Sequence, residues 1–318
     1  MTAGDFANYH IILREPVTST YRGFSVVTFA PPSSGGLLLV QMLNILEHFD
    51  MKSFDEATRL HVIAETMKLA FADRAYWLGD PDFARVPRGL ASKKYAAMLA
   101  HEIHPGHATD GVSHGTPPDW QNDVFGKHTT HFSVADAEGN WVACTATINT
   151  SFGSKVVIPG TGVVMNNEMD DFSAQPGAPN AFGLIGADAN AVAPGKRPLS
   201  CMTPTIVLKD NQPIIALGAA GGPKIISAVL LELVCMLDRG MAPAAAVAAP
   251  RIHQQWSPDE VMVEKTLPAP LKLALSQRGH KVRELNAFAV SQIVARSPDG
   301  MGFVGAADPR STGSAAGW

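Results

Sequence analysis

Two adjacent threonines, Thr129 and Thr130, end a long polar stretch and open a strand-like run, Thr-Thr-His-Phe-Ser-Val-Ala-Asp. Threonine is β-branched and suits a strand for that reason alone. A threonine that becomes the first residue of a chain has a second use, because it carries a hydroxyl nucleophile together with its own amine as base. Downstream, Trp141 to Thr150 reads as a partner strand, and Asp136 and Asn140 flank Ala137-Glu138-Gly139, a three-residue loop whose last position suits glycine. With Glu138 as the pivot, Thr129 falls opposite Thr147, and Asn149 follows on the same face. Opposed side chains in such a pair stand roughly 5 Å apart at Cβ, within reach of a hydroxyl–hydroxyl bond. An ordinary cross-strand threonine pair has the same signature. His131 alternates onto the Thr129 face and reads as structural.

Two further stretches carry chemistry. In Gly218 to Lys224, Gly-Ala-Ala-Gly-Gly-Pro-Lys, a strand passes into a helix. There the N–H groups of Gly221 and Gly222 can face an anion, such as the tetrahedral oxyanion of acyl transfer. In Asn166 to Phe172, Asn-Asn-Glu-Met-Asp-Asp-Phe, Glu168 and Asp171 could receive an ammonium group or a metal. Taken singly, the first is a tight turn and the second a polar turn. His101 to His107, His-Glu-Ile-His-Pro-Gly-His, lacks the H-E-x-x-H spacing that sets two ligands on one helix face, so no metal site is expected. Asp73 and Arg74, read as following a helix, are expected to cap or bridge.

These residues need a scaffold, and the rest of the chain outlines one. The 318 residues carry a formal charge of -4 and 46% hydrophobic residues, enough for a large core. No basic run interleaved with aromatics suggests nucleic acid, and no apolar run spans a bilayer. The first ten residues lack the basic and apolar regions of a signal peptide. Cys144, Cys201 and Cys235 are dispersed and odd in number, which argues against a disulfide framework. A strand is expected at Gly23–Phe29 and a buried helix after Gly35. A long helix should open at a Ser53-x-x-Glu56 capping box with Leu60, Ile63, Met67 and Phe71 on one stripe, and another helix should begin at Ser92. From His104 to Lys127 the pattern dissolves into a loop long enough to imply a use. Strands then dominate: the threonine hairpin, a strand at Gly162–Asn166, a hairpin turning at Asp210-Asn211-Gln212, and one turning at Pro298-Asp299-Gly300. A helix follows Pro223 and stops before Gly240. The class is α+β with an antiparallel sheet.

The segments TTHFSVADAEGNWVACTATINTSFGS, NNEMDDFSAQPG, DANAVAPGKRPLSCMTPTIV and GAAGGPKII resemble the small-subunit signatures of the γ-glutamyltranspeptidase family. PPSSGG, FADRAYWLGDPDF and GAADPRS resemble the same family, so the likeness runs nearly from end to end. The resemblance implies an N-terminal-nucleophile hydrolase with an αββα sandwich, made as a precursor that cuts itself between His128 and Thr129. Residues 1–128 would then be the C-terminal part of the large-subunit region, ending in the cleavage loop. Residues 129–318 would be the small-subunit region, and the two products together would form one heterodimeric domain. It further implies Thr129 as nucleophile, Thr147 as its orienting partner, and Asn149, Glu168 and Asp171 around the donor's α-ammonium. Ser200 and Cys201 match the α-carboxylate position, and Gly221 and Gly222 match the oxyanion hole. The expected substrates are glutathione or another γ-glutamyl amide, with water, an amino acid or a peptide as acceptor, and no cofactor or metal. The family suggests a bacterial periplasmic or extracellular setting.

Three departures qualify these expectations. Cys201 stands where the family usually has a second serine, and Phe182 stands in a lid segment where some bacterial relatives have tyrosine. The family's carboxylate-clamping arginine, from the N-terminal half of the large subunit, has no counterpart here, so the sandwich is expected to be incomplete. Arg197 is the basic residue nearest in sequence to the pocket motifs. The alternatives are a glutaryl amidase of the cephalosporin-acylase type and a non-catalytic, truncated remnant of the family.

Overall fold

The computed structural model describes residues 2–118 and 133–317. In chain order the elements are α1 (Ala3–Ala7), β1 (Val17–Tyr21), β2 (Phe24–Thr28), α2 (Gly35–Leu46), α3 (Glu56–Trp77), α4 (Lys93–His101), β3 (Ser133–Ala135) and β4 (Trp141–Ala143). They continue with β5 (Thr205–Lys209), β6 (Gln212–Ala220), α5 (Lys224–Leu233), α6 (Pro243–Ala248), β7 (Ile252–His253) and β8 (Val261–Glu264). The last are α7 (Ala269–Gln277), β9 (Val282–Leu285), β10 (Val290–Arg296) and β11 (Phe303–Ala307).

One antiparallel sheet, ordered β1-β2-β5-β6-β10-β11, joins strands from both ends of the chain. Its two faces follow from the period of two along β10. Ser291, Ile293 and Ala295 are buried on one face, and Ile293 and Ala295 join the core that also contains α2 and α5. On the other face the Arg296 guanidinium lies 5.9 Å from the Trp141 ring centroid, and that ring meets Phe303 edge-on at 5.6 Å. The β3–β4 hairpin therefore packs on the side away from the helices, so the described layers run helix, sheet, hairpin.

α2 is buried along its whole length, which fits an apolar run with little polar relief. α3 is also buried nearly all round, so its stripe from Leu60 to Phe71 is part of a core helix and not of an amphipathic one. Its cap differs from expectation. Asp55 is the N-cap, its carboxylate accepting from Thr58 N at 2.7 Å, while the Ser53 N–H donates to Asp50 in the preceding turn. The aspartate stands directly before the first helical residue, and a carboxylate there satisfies an orphan N–H as well as a serine does. Ser92 caps α4 as expected, accepting from Tyr95 N at 3.1 Å.

Other departures are local. The β1–β2 hairpin, missed in the sequence, turns through Arg22 and Gly23, both at positive φ. The Gly162–Asn166 run forms no strand; Val164 makes only an isolated bridge to Val157. Asp210 and Asn211 alone make the β5–β6 turn, both left-handed, with Gln212 already in β6. A small sheet ordered β7-β8-β9 was also not anticipated, its strands being too short to show a period.

Candidate functional site

The threonine hairpin keeps the expected register. Ser133 pairs with Ala143, Val134 with Val142 and Ala135 with Trp141, and Gly139 takes a left-handed φ of 92° in the loop. The described pairing begins at Ser133, the first described residue of this hairpin. His128, Thr129 and His131 lie outside the described residues.

Beyond β4 the chain lines a cavity. Thr147, Asn149, Glu168, Asp171, Ser200, Cys201, Gly221 and Gly222 all border it, together with Thr145, Met202 and Phe182. They come from five separate stretches of the sequence, and hydrogen bonds hold these in place. The Thr147 hydroxyl accepts from Asn149 N at 2.7 Å, bending the backbone so that Asn149 takes a left-handed φ of 74°. From there Asn149 Nδ2 donates to Asn167 O at 3.0 Å and to Asp171 Oδ1 at 3.3 Å. Thr150 N donates to Asn167 Oδ1 at 3.0 Å, a second tie between the same two stretches.

Glu168 and Asp171 sit in a single 3₁₀ turn. Burial pushes the Glu168 carboxyl up to about 7, with the neighbouring Asp171 charge adding to the effect. Asp171 is pushed up to about 6, again by burial, against the opposing pull of Arg74 and of the Asn149 bond. Glu168 Oε1 is buried without a hydrogen-bond partner among the described residues. Two desolvated carboxyls with unspent acceptor capacity favour a cationic guest, which would pull both back toward ionisation.

The Ser200–Met202 part of the lining is built by close backbone approach. Ser200 N donates to Pro32 O at 2.9 Å, Ser34 N to Ser200 O at 2.8 Å, and the Ser33 hydroxyl to Met202 O at 2.6 Å. Gly35, at the start of α2, is needed here: a Cβ would come within 2.4 Å of Met202 O. At the end of β6, Gly221 and Gly222 turn the chain into α5 with φ of 142° and 61°, conformations that side chains resist. Neither N–H donates a hydrogen bond among the described residues.

Phe182 covers this turn. A Cβ on Gly222 would stand 2.8 Å from the Phe182 ring. The loop that carries it is held by Asn180, whose Oδ1 accepts from Phe182 N and Leu184 N, and by Gln255 Nε2, which donates to Gly183 O at 3.1 Å.

Arg197 does not border the cavity. Its backbone N–H is held by Asp80 at 2.9 Å and its guanidinium donates to His10 O at 3.3 Å. Asp73 bridges, accepting from Gln41, Tyr95 and Gly115 N. Arg74 points the other way, and sequence reasoning missed its place. Its Nε donates to Ser34 Oγ at 3.0 Å and its Nη2 to Cys201 Sγ at 3.4 Å, directly behind the cavity wall. The signal available was a charged residue set in an otherwise buried helix.

The family model described as Gamma-glutamyltranspeptidase matches residues 1–318. The chain belongs to the γ-glutamyltranspeptidase family. It is 46% identical to the glutathione hydrolase proenzyme of Escherichia coli (strain K12), covering 98% of this chain and 54% of that protein. It is 40% identical to the acylase ACY 1 proenzyme of Pseudomonas sp. (strain SE83), covering 98% of this chain and 53% of that one. The solved cephalosporin acylase from Bacillus halodurans is 32% identical, with a TM-score of 0.85 over 100% of this chain and 55% of its own. The fold is thus the α+β fold of the N-terminal-nucleophile hydrolases in this γ-glutamyltranspeptidase and acylase group. The chain spans about half the length of these relatives.

Proposed function

We propose that the protein transfers the γ-glutamyl group of glutathione or another γ-glutamyl amide to water, an amino acid or a peptide, after cleavage of its own chain between His128 and Thr129. The observation that carries this reading is the single cavity bordered by Thr147, Asn149, Glu168, Asp171, Ser200, Cys201, Gly221 and Gly222. Family membership supplies the rest. In this reading residues 1–128 and 129–318 are the two products and stay together as one heterodimer.

The chemistry proposed is acyl transfer. A terminal amine with a pKa near about 8 is partly unprotonated at neutral pH and can take the Thr129 hydroxyl proton. The oxygen attacks the γ-carbonyl, the tetrahedral oxyanion rests on the Gly221 and Gly222 N–H groups, and the amine of the leaving group departs with the transferred proton. Water or an acceptor amine then attacks the γ-glutamyl-Thr129 ester by the same route in reverse. Glu168 and Asp171 hold the donor's α-ammonium, and Ser200 and Cys201 face its α-carboxylate.

The acylase relatives make a glutaryl donor, which lacks the ammonium, the competing substrate. The buried carboxyl pair favours the γ-glutamyl reading. Comparing γ-glutamyl and glutaryl anilides tests it: faster release from the γ-glutamyl compound is expected, and preference for the glutaryl one would overturn the assignment. Intact mass tests maturation. The chain should yield products ending at His128 and beginning at Thr129, and Thr129→Ala should stay whole; any other new N-terminus excludes the nucleophile proposed.

A further inference from the structure

Arg74 is an anomaly for a buried arginine. Its residue is 3% exposed, yet among the described residues no carboxylate lies within 4.0 Å of it. Its hydrogen-bond partners are the neutral Ser34 hydroxyl and Cys201 thiol. A guanidinium out of water without an anion is costly, and such charges are normally paired. Asp171 feels its charge but makes no ion pair with it.

The partners show where that field is directed. The Ser34 hydroxyl accepts from Arg74 and donates to Ser200 O at 2.7 Å, so the guanidinium is locked onto the stretch that forms the cavity wall. The Cys201 sulfur accepts from Arg74, which leaves the S–H as the polar group this side chain can offer to the cavity it borders. A neutral thiol is by itself a weak donor; one backed by a fixed positive charge is a better one for an anion. The cavity lining then carries both the Glu168–Asp171 carboxyls and a Ser200–Cys201 stretch backed by Arg74. That pattern fits the zwitterionic end of an α-amino acid.

We infer that Arg74 is a positioning residue for substrate selection: from behind Cys201 and Ser34 it makes the Ser200–Cys201 wall selective for the donor's α-carboxylate. The inference rests on the proposed γ-glutamyl reading and deepens it. It assigns to α3 the positive charge for which Arg197 was the first candidate by sequence.

The test is equilibrium binding to the full chain by titration calorimetry, with three amides of one skeleton: L-glutamine, 4-aminobutyramide, which lacks the carboxylate, and glutaramate, which lacks the ammonium. The unaltered protein should bind L-glutamine at least tenfold more tightly than 4-aminobutyramide. In Arg74→Gln that ratio should fall to near one, while the preference for L-glutamine over glutaramate persists; Arg74→Lys should keep most of the ratio. Should Arg74→Gln fail to fold, Cys201→Ala tests the same link through a smaller change and should lower the ratio several-fold. Equal weakening of all three ligands, or an unchanged ratio in the folded variants, would show a merely structural arginine and overturn the inference while leaving the γ-glutamyl reading intact. Failure of the unaltered protein to prefer L-glutamine over both analogues would instead overturn that reading itself.

Discussion

At the residue scale, the acidic pair gives the protein a pH signature. The Glu168 carboxyl is raised from 4.5 to about 7 and Asp171 from 3.8 to about 6, chiefly by burial. A raised carboxyl binds its proton more tightly in the native state than in the unfolded chain. Its contribution to stability is therefore full below the unfolded pKa and is lost as pH rises through the folded one. Thermal stability should decline between about pH 4 and 7, and Glu168→Gln should flatten that slope in a melting series. A cationic ligand reverses the sense, because it favours the ionised forms. L-Glutamine should bind more tightly as pH rises toward 7, by up to about tenfold per unit for each proton released, with little further change above. Calorimetry in buffers of different ionisation enthalpy would read the proton release directly, and a pH-independent affinity would exclude the pair as the ammonium site.

At the scale of elements, the β6–α5 turn and the loop above it form one unit. Gly222 takes a left-handed φ of 61°, and any Cβ there enters the Phe182 ring. Gly222→Ala should therefore carry two costs: about 1 kcal/mol from the left-handed backbone and a further share from displacing the ring. Phe182→Ala removes the second cost but not the first. The double variant should be more stable than the sum of the two single changes predicts, a coupling readable by urea denaturation. Strict additivity would mean that the loop does not rest on the turn. The two glycines were legible in the sequence as a strand-to-helix turn. That Phe182 sits on one of them was not, since the loop between Asn180 and Leu184 is placed by Asn180 and by Gln255, the latter more than seventy residues away.

For the whole molecule, the C-terminal half is tied together by a buried ion cluster. Arg251 Nη2 meets Glu232 at 2.8 Å and Asp308 at 2.7 Å, while Arg310 meets Glu264 at 2.6 Å. Glu232 belongs to α5 and Glu264 to β8, and Asp308 and Arg310 follow β11, so the cluster joins elements that are not chain neighbours. Arg251→Met leaves Glu232 buried without its cation, while Asp308 keeps Arg310 at 3.2 Å, and should cost about 3–5 kcal/mol. Arg251→Met with Glu232→Gln should recover part of that loss, because one stranded charge is removed. A denaturation midpoint for Arg251→Met close to that of the unaltered protein would mean that the cluster is hydrated in solution.

The sequence alone determined what depends on short-range order. The register of the β3–β4 hairpin followed from one loop glycine and a period of two. The α2 and α4 helices, the α5 start at Pro223 and the β10–β11 turn at Pro298-Asp299-Gly300 followed from local propensity and caps. Types of residue marked Glu168, Asp171, Gly221 and Gly222 as able to do chemistry, and the family likeness supplied the roles proposed for them. Only the tertiary structure decided which of them share a cavity, because segments on several elements meet there through backbone bonds such as Ser200 N to Pro32 O that no local pattern announces. It alone placed Arg74 behind Cys201 and Arg197 away from the cavity. In a helix buried on nearly every side, the sequence period no longer tells which face meets the core and which meets a site, and the direction of a charged side chain is then set by packing.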